Sequence, residues 1–250
     1  MRSAVKNVIF TFSLVASIAV QAISVGKVDF EKKSVTGIEV ELASSKSNNV
    51  SVCGAHVGGL WSLTRNNVAG IQVCGLVALT EECSGIQAGG CMAGAKDISG
   101  VQIGAYGSGC ENKMNGIQIG GLVPVCINEV NGIQIGGLGS WCENEMNGIQ
   151  IGGLGSMCTN EVNGIQIGGI SCGAGKVRGV QIAGLISADD KMSGLQIGAI
   201  NYINKDFSGV QIGVFNYAGE KSDNCLQIGV VNWLSANETM KIVPFVNFRF

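Results

Sequence analysis

Apolar residues recur along this chain in fixed columns around a Gly-x-Gln-x step. With the glycine before Ile-Gln-Ile taken as position zero, apolar side chains stand at -2 (Val68, Ile98, Met114, Val130, Met146, Val162, Met192, Phe207). They recur at +1 and +3 on either side of the glutamine, and at +6 (Leu122, Leu138, Leu154, Ile200, Phe215). The spacing of two between +1 and +3 predicts a strand with one face buried. The spacings of three from -2 to +1 and from +3 to +6 break that parity, and a glycine sits in each gap. Each unit therefore reads as a few short strands joined at glycine corners, with the apolar columns facing a common core and Gln facing out.

Units begin at Gly70, Gly85, Gly100, Gly116, Gly132, Gly148, Gly164, Gly179, Gly194 and Gly209, then at Cys225 where the glycine is lost, always fifteen or sixteen residues apart. Weaker copies at Gly37, Gly54 and Met240 bring the count to fourteen. A unit of this size cannot bury its own apolar side, whereas parallel stacking of copies buries every column at once. The reading is all-β, a parallel β-solenoid of about fourteen coils, on the order of 65 Å long at the usual strand spacing. An antiparallel up-and-down β-barrel with Asn-Gly hairpin turns is the alternative, favoured by the C-terminal FVNFRF with its alternating aromatics. A meander reverses direction at each unit, yet here the same turn text recurs at every junction, which favours the solenoid.

Composition adds three constraints. The 39 glycines among 250 residues are periodic, so they mark corners rather than low complexity. A net charge of -2 with only 14% charged residues removes the electrostatic footprint of a nucleic-acid binder. At the N-terminus, Arg2 and Lys6 precede the apolar run Val8 to Val20 and the small-residue site Val20-Gln21-Ala22, the layout of a secretory signal. The expected organisation is a signal peptide over 1–22, a charged N-terminal cap over 23–36 and one repeat domain over 37–250.

These features together resemble bacterial surface-repeat proteins: tandem G-[IVL]-Q-I-[GA] units behind a signal peptide, Ile-Asn-Tyr or Val-Asn-Trp text in the later copies, and a PFVNFRF ending. The similarity spans about Gly37 to Phe250. It implies export to the bacterial cell surface or outer membrane, with the periplasm or medium as alternatives, and it brings no catalytic residues to transfer.

Several columns are candidates for chemistry. The glutamines, among them Gln102, Gln118, Gln134, Gln150, Gln166 and Gln181, are expected to line one outer face, either as an amide ladder or as a flat polar strip for a repetitive ligand. Cys110, Cys126, Cys142 and Cys158 all fall at +10 in successive coils, close enough for disulfides, simplest as Cys110–Cys126 and Cys142–Cys158. Tyr202, Tyr217, Trp233 and Phe248 share +8 and are expected to stack inside the rod; facing outward they would make a sugar-stacking ladder. Phe245, Phe248 and Phe250 make the uncapped C-terminal edge the expected site of self-association, membrane contact or a partner.

No metal, cofactor or catalytic set is expected. The chain has one His, His56, standing in a degenerate Gln position, and Asp189-Asp190-Lys191 is the one compact irregular charge cluster. The functional expectation is an exported, non-enzymatic envelope or surface protein with a structural or binding role. A glycan, an envelope component or a second copy would be the partner. The alternatives are an outer-membrane barrel and, more remotely, a glycan-active β-helix enzyme.

Overall fold

The structure is a computed structural model that describes residues 22–29, 34–41, 44–47 and 51–250. The expected signal segment, apart from Ala22, lies outside the described residues. Between Ser34 and Leu234 every coil-to-coil pairing is parallel. Gly116 faces Gly132, which faces Gly148, and Gln118, Gln134 and Gln150 lie side by side in the same register. The chain winds through about twelve turns as a parallel β-solenoid and not a barrel. Identical residues one coil apart are the consequence, about 4.8 Å apart along a rod of about 58 Å.

Each coil bends three times. One bend is the zero glycine inside a long strand such as Glu129–Gly136; the others separate the short strands, at Gly121-Leu122 and at Ile127-Asn128. The zero glycines share a φ between +128° and +138°, a region that L side chains rarely adopt. They also leave no space, since a Cβ on Gly132 would lie 2.1 Å from the Gly116 carbonyl oxygen. Where the glycine is lost at Cys225, Asn224 takes the bend with φ +50°, and the register against the previous coil shifts between Phe207 and Gly209.

The two faces of the strands are reversed relative to the sequence expectation. The glutamines from Gln72 to Gln227 are fully buried, as are the -2 column and the +10 cysteines, whereas the flanking Ile and Val of +1 and +3 are half-buried or exposed. In a sixteen-residue coil, positions -2, +2, +4, +8 and +10 all point inward, so the parity does not break at the zero glycine. Leu122, Leu138 and Leu154, apolar and therefore expected in the core, sit at a bend and are exposed. Alternation identifies two faces of a strand, but hydrophobicity alone does not say which is inside.

The late aromatics also differ from expectation. Coils from Gly194 onward lose one residue at the bend, so Ile200 pairs with Ile186, Asn201 with Ser187 and Tyr202 with Ala188. The shortening puts Asn201, Asn216 and Asn232 in the core and turns Tyr202 and Trp233 outward.

Both ends carry an antiparallel strand. Ala22–Asp29 pairs with Ser34–Glu41, setting Val25 opposite Ile38. At the other end Ile242–Arg249 folds back on the last coil, setting Phe248 opposite Leu226 and Val246 opposite Ile228. The fourteenth unit is therefore a cap and not a coil, and the C-terminal edge is not the uncapped end that the sequence suggested. Its anchors are Arg249, whose Nε lies 2.9 Å from Asp223, and the buried Asn247 amide, which donates to the Asn232 and Lys241 carbonyls.

His56 stands opposite Gln72 in the glutamine column. Its Nδ1 lies 3.2 Å from the Thr64 hydroxyl and 3.4 Å from that of Ser62, and burial pushes its pKa down to about 4. The unfolded chain takes up this proton first, near pH 6.5, so stability present above that pH is lost as pH falls toward 4. The His56→Gln variant restores the amide of the column and is expected to hold its melting temperature at pH 7 and to melt higher than the parent at pH 4.5, measured by circular dichroism.

Candidate functional surface

The inward glutamines explain how the core tolerates amides. Each Gln Nε2 donates to the Oε1 of the preceding coil, giving ten amide-to-amide bonds of 2.7–3.0 Å from Gln72 to Gln227. The same nitrogen also crosses the core to the opposite wall: Gln134 donates to the Trp141 carbonyl and Gln150 to that of Met157, both at 3.0 Å. A buried amide costs stability unless its donors and acceptor are paired, and here they are paired along and across the rod up to the last coil, where the Gln227 Oε1 ends the ladder without a donor. Gln102, Gln118, Gln134, Gln150, Gln166 and Gln181 therefore do not form an outer binding face.

Asp189 occupies the inward position that holds a cysteine in earlier coils. It accepts from Gln181 Nε2 at 2.8 Å, Gln196 Nε2 at 3.0 Å and the Ala174 backbone N–H at 2.7 Å. Burial raises its pKa to about 7, against the opposing pull of these bonds. Asp189 is thus absorbed into the ladder. Its neighbours Asp190 and Lys191 face outward and pair with Lys205 and Asp206.

What remains for a partner is the outside, which has three sides. The first wall carries the +1 and +3 columns, aliphatic at every position from Ile38 to Ile228. The bend that follows projects Leu122, Leu138, Leu154, Ile170 and Leu185, all exposed. Beyond it the second wall bears Val123, Val125, Trp141 and Met157, and in the late coils Tyr202, Tyr217 and Trp233. Tyr202 and Tyr217 stack with centroids 4.7 Å apart and planes 10° apart, and Trp233 meets Tyr217 edge-on at 5.5 Å.

The third side is polar. Between Ser51 and Leu234 every charged residue except Asp189 falls in the segment from +11 to the next -1. Ion pairs link its coils: Lys96–Glu81 at 2.8 Å, Lys113–Glu129 at 3.1 Å, and Glu161 with both Lys176 and Arg178. Asparagine ladders run beside them, Asn131 to Asn115 and Asn147 to Asn131 at 3.0 Å and Asn144 to Asn128 at 2.8 Å. Exposed pairs of this kind contribute little each, but they leave few charges free to repel along the stack. Among the described residues no group of three or more His, Cys, Asp or Glu is placed to hold a metal ion.

Phe245, Phe248 and Phe250 are exposed on the cap strand, Phe250 at 87% and with its ring 5.6 Å from that of Phe248. Phe248 and Val246 lie opposite Leu226 and Ile228, so the cap extends the first wall by one strand. The sequence places Phe245 and Phe250 at a surface, as found, whereas Phe248, expected inside the rod with the other +8 aromatics, is exposed as well, on the wall that the cap strand continues. The signal for that wall is the absence of any polar residue at +1 or +3, which fits an apolar outer wall as well as a core.

Comparison with protein-family models, with characterised proteins and with solved structures finds no match to this chain.

Cys110, Cys126, Cys142 and Cys158 lie in register on adjacent strands and are buried. They are free thiols, and Cys110 lies against Cys126 as Cys142 does against Cys158. A hydrogen bond with Cys126, then burial, pushes the Cys110 thiol far above its ordinary pKa; Cys142 is raised in the same way beside Cys158, whose own pKa is lowered by the Cys142 contact. In-register strand neighbours have a Cα separation of about 4.8 Å, within the disulfide range. Protein recovered from an oxidising compartment is expected to carry bridges Cys110–Cys126 and Cys142–Cys158, leaving six of its ten thiols reactive under denaturing conditions. Ten reactive thiols would contradict the pairing.

Proposed function

We propose that this chain is an exported, non-enzymatic repeat protein of the bacterial envelope whose working surface is the pair of apolar walls. The observation that carries the reading is the unbroken run of aliphatic +1 and +3 positions on the outside of the solenoid, while the charges collect on one opposing side. A monomeric soluble protein rarely leaves a contiguous apolar patch larger than a few hundred Å² in water. The first wall alone, about 58 Å by about 10 Å, comes to on the order of 600 Å².

Export is supported by the N-terminal charge, apolar run and small-residue site. A non-enzymatic role is supported by the repeat itself. An active site gathers unlike groups at one place, whereas Gln, Asn, Ile and Cys here continue coil after coil, and the buried carboxylate of Asp189 is held by the ladder. A sugar-stacking role for the late aromatics is less well supported, because Tyr202 and Tyr217 cover one another's ring faces.

Fractionation of bacteria expressing the full chain tests this reading. The protein is expected in the envelope fraction, shortened by the N-terminal segment, and deletion of residues 2–20 is expected to retain it in the cytoplasm. Full-length protein confined to the cytosol would overturn the proposal.

A further inference from the structure

We infer that the apolar walls dock on the surface of a lipid bilayer, the rod lying in the membrane plane with its charged third side toward water. The inference rests on the reading that these walls are the working surface and names their occupant.

Shape is the first argument. The two walls meet at a convex edge of exposed leucines, including Leu122, Leu138 and Leu154. A rigid partner of the same kind covers one wall and leaves the edge and the other wall in water. Acyl chains conform to a convex edge and cover both walls at once.

Charge distribution is the second. Between Ser51 and Leu234 the polar segment carries every outward charge and none lies on a wall; Lys46, in register with Leu63, is the one charged residue at a wall position in the first coil. This partition around a single rod is what an interfacial amphipathic element shows, apolar on the immersed face and charged on the other. With several ion pairs on the polar side and a whole-chain net charge of -2, more negative still without Arg2 and Lys6, attraction to anionic headgroups is not the driving force. Zwitterionic lipid is therefore the expected surface, with little dependence on salt.

Aromatic placement is the third. Trp141, Tyr202, Tyr217 and Trp233 occupy the outermost column of the second wall, next to the polar side, where a ring has apolar chains beneath it and water above. All three tryptophans of the chain, Trp61, Trp141 and Trp233, lie on this wall. Along the rod the wall strands hydrogen-bond from coil to coil, so unpaired strand edges are confined to its two ends.

The test is flotation of the chain, purified from an exporting host, with phosphatidylcholine vesicles at low and at 0.5 M salt. A parallel measurement follows tryptophan fluorescence with phosphatidylcholine brominated on its acyl chains. The expected result is flotation at both salt concentrations, with quenching by the brominated lipid. The combined variant Ile133→Thr, Leu138→Thr, Ile149→Thr and Leu154→Thr is expected to lower partition at least tenfold. The variant Glu143→Gln with Glu145→Gln, on the polar side, is expected to float as the parent does. Absence of quenching overturns the inference whatever the variants do, so a wall variant that fails to fold leaves it decidable. Light scattering that shows a multiple of the chain mass, reduced to one by the wall variant, would also overturn it and assign the walls to a second copy. Failure here with normal recovery in the envelope fraction removes the lipid occupant and leaves the export reading standing.

Discussion

The structure depends on one constraint: residues one coil apart must be alike, because parallel in-register stacking brings them to strand spacing. For an apolar side chain this is undemanding. For glutamine in a core it is the condition of survival, since each amide oxygen finds its partner in the amide of the next coil while the nitrogen is shared between the preceding amide and a carbonyl across the core. The ladder from Gln72 to Gln227 therefore locks register more firmly than an apolar core could. A coil slipped by one residue would set Ile against Gln and leave buried amides unpaired on both sides of the fault. His56 shows how much departure the column accepts, since a buried ring stands opposite Gln72 beside the Ser62 and Thr64 hydroxyls, and Asp189 shows that a carboxylate from the facing position can serve as acceptor for two of its amides.

The outside follows from the inside. The inward positions are filled by Gln, Gly, Ser, Asn and Cys together with apolar residues such as Ala93, Val130, Met146 and Ile203, which leaves the Ile and Val of +1 and +3 on the outer side of the same strands. Parallel strands favour β-branched side chains packed flank to flank, and the +1 and +3 columns of Ile and Val satisfy this even with their tips exposed. The polar side is assembled by the same rule, with asparagine ladders and alternating ion pairs where the coil bends back. Surface chemistry is thereby segregated by position within the repeat, and every turn added lengthens each strip without changing it.

Much of this was legible in the sequence. The period, the glycine bends and the unchanged direction of the turn text gave a parallel solenoid, and the cysteines at +10 fell into one column as expected. Orientation was not legible, because an alternating Ile-Gln-Ile strand has two faces and the usual preference for burying isoleucine chose the wrong one. The late aromatics failed for a related reason. A single residue lost at the bend before Asn201 changes which side of the strand each later residue meets, and a column numbered from the zero glycine cannot register it. The last strand reads as a coil because Val246-Asn247-Phe248 repeats the text of Val231-Asn232-Trp233. Alternation suits either strand direction, so the text alone does not distinguish a parallel coil from an antiparallel cap.

The central claim, that amides are inside and isoleucines outside, is open to a comparison of adjacent residues. Thermal or urea unfolding of Ile133→Glu and Gln134→Glu measures the cost of a charge on each face of one strand. The structure predicts a change within about 1 kcal/mol for Ile133→Glu, whose side chain reaches water. It predicts a loss of about 3 kcal/mol or more for Gln134→Glu, where a buried carboxylate replaces the amide that donates to Gln118 and to the Trp141 carbonyl. The reverse order, with Ile133→Glu unfolding the protein and Gln134→Glu tolerated, would contradict it.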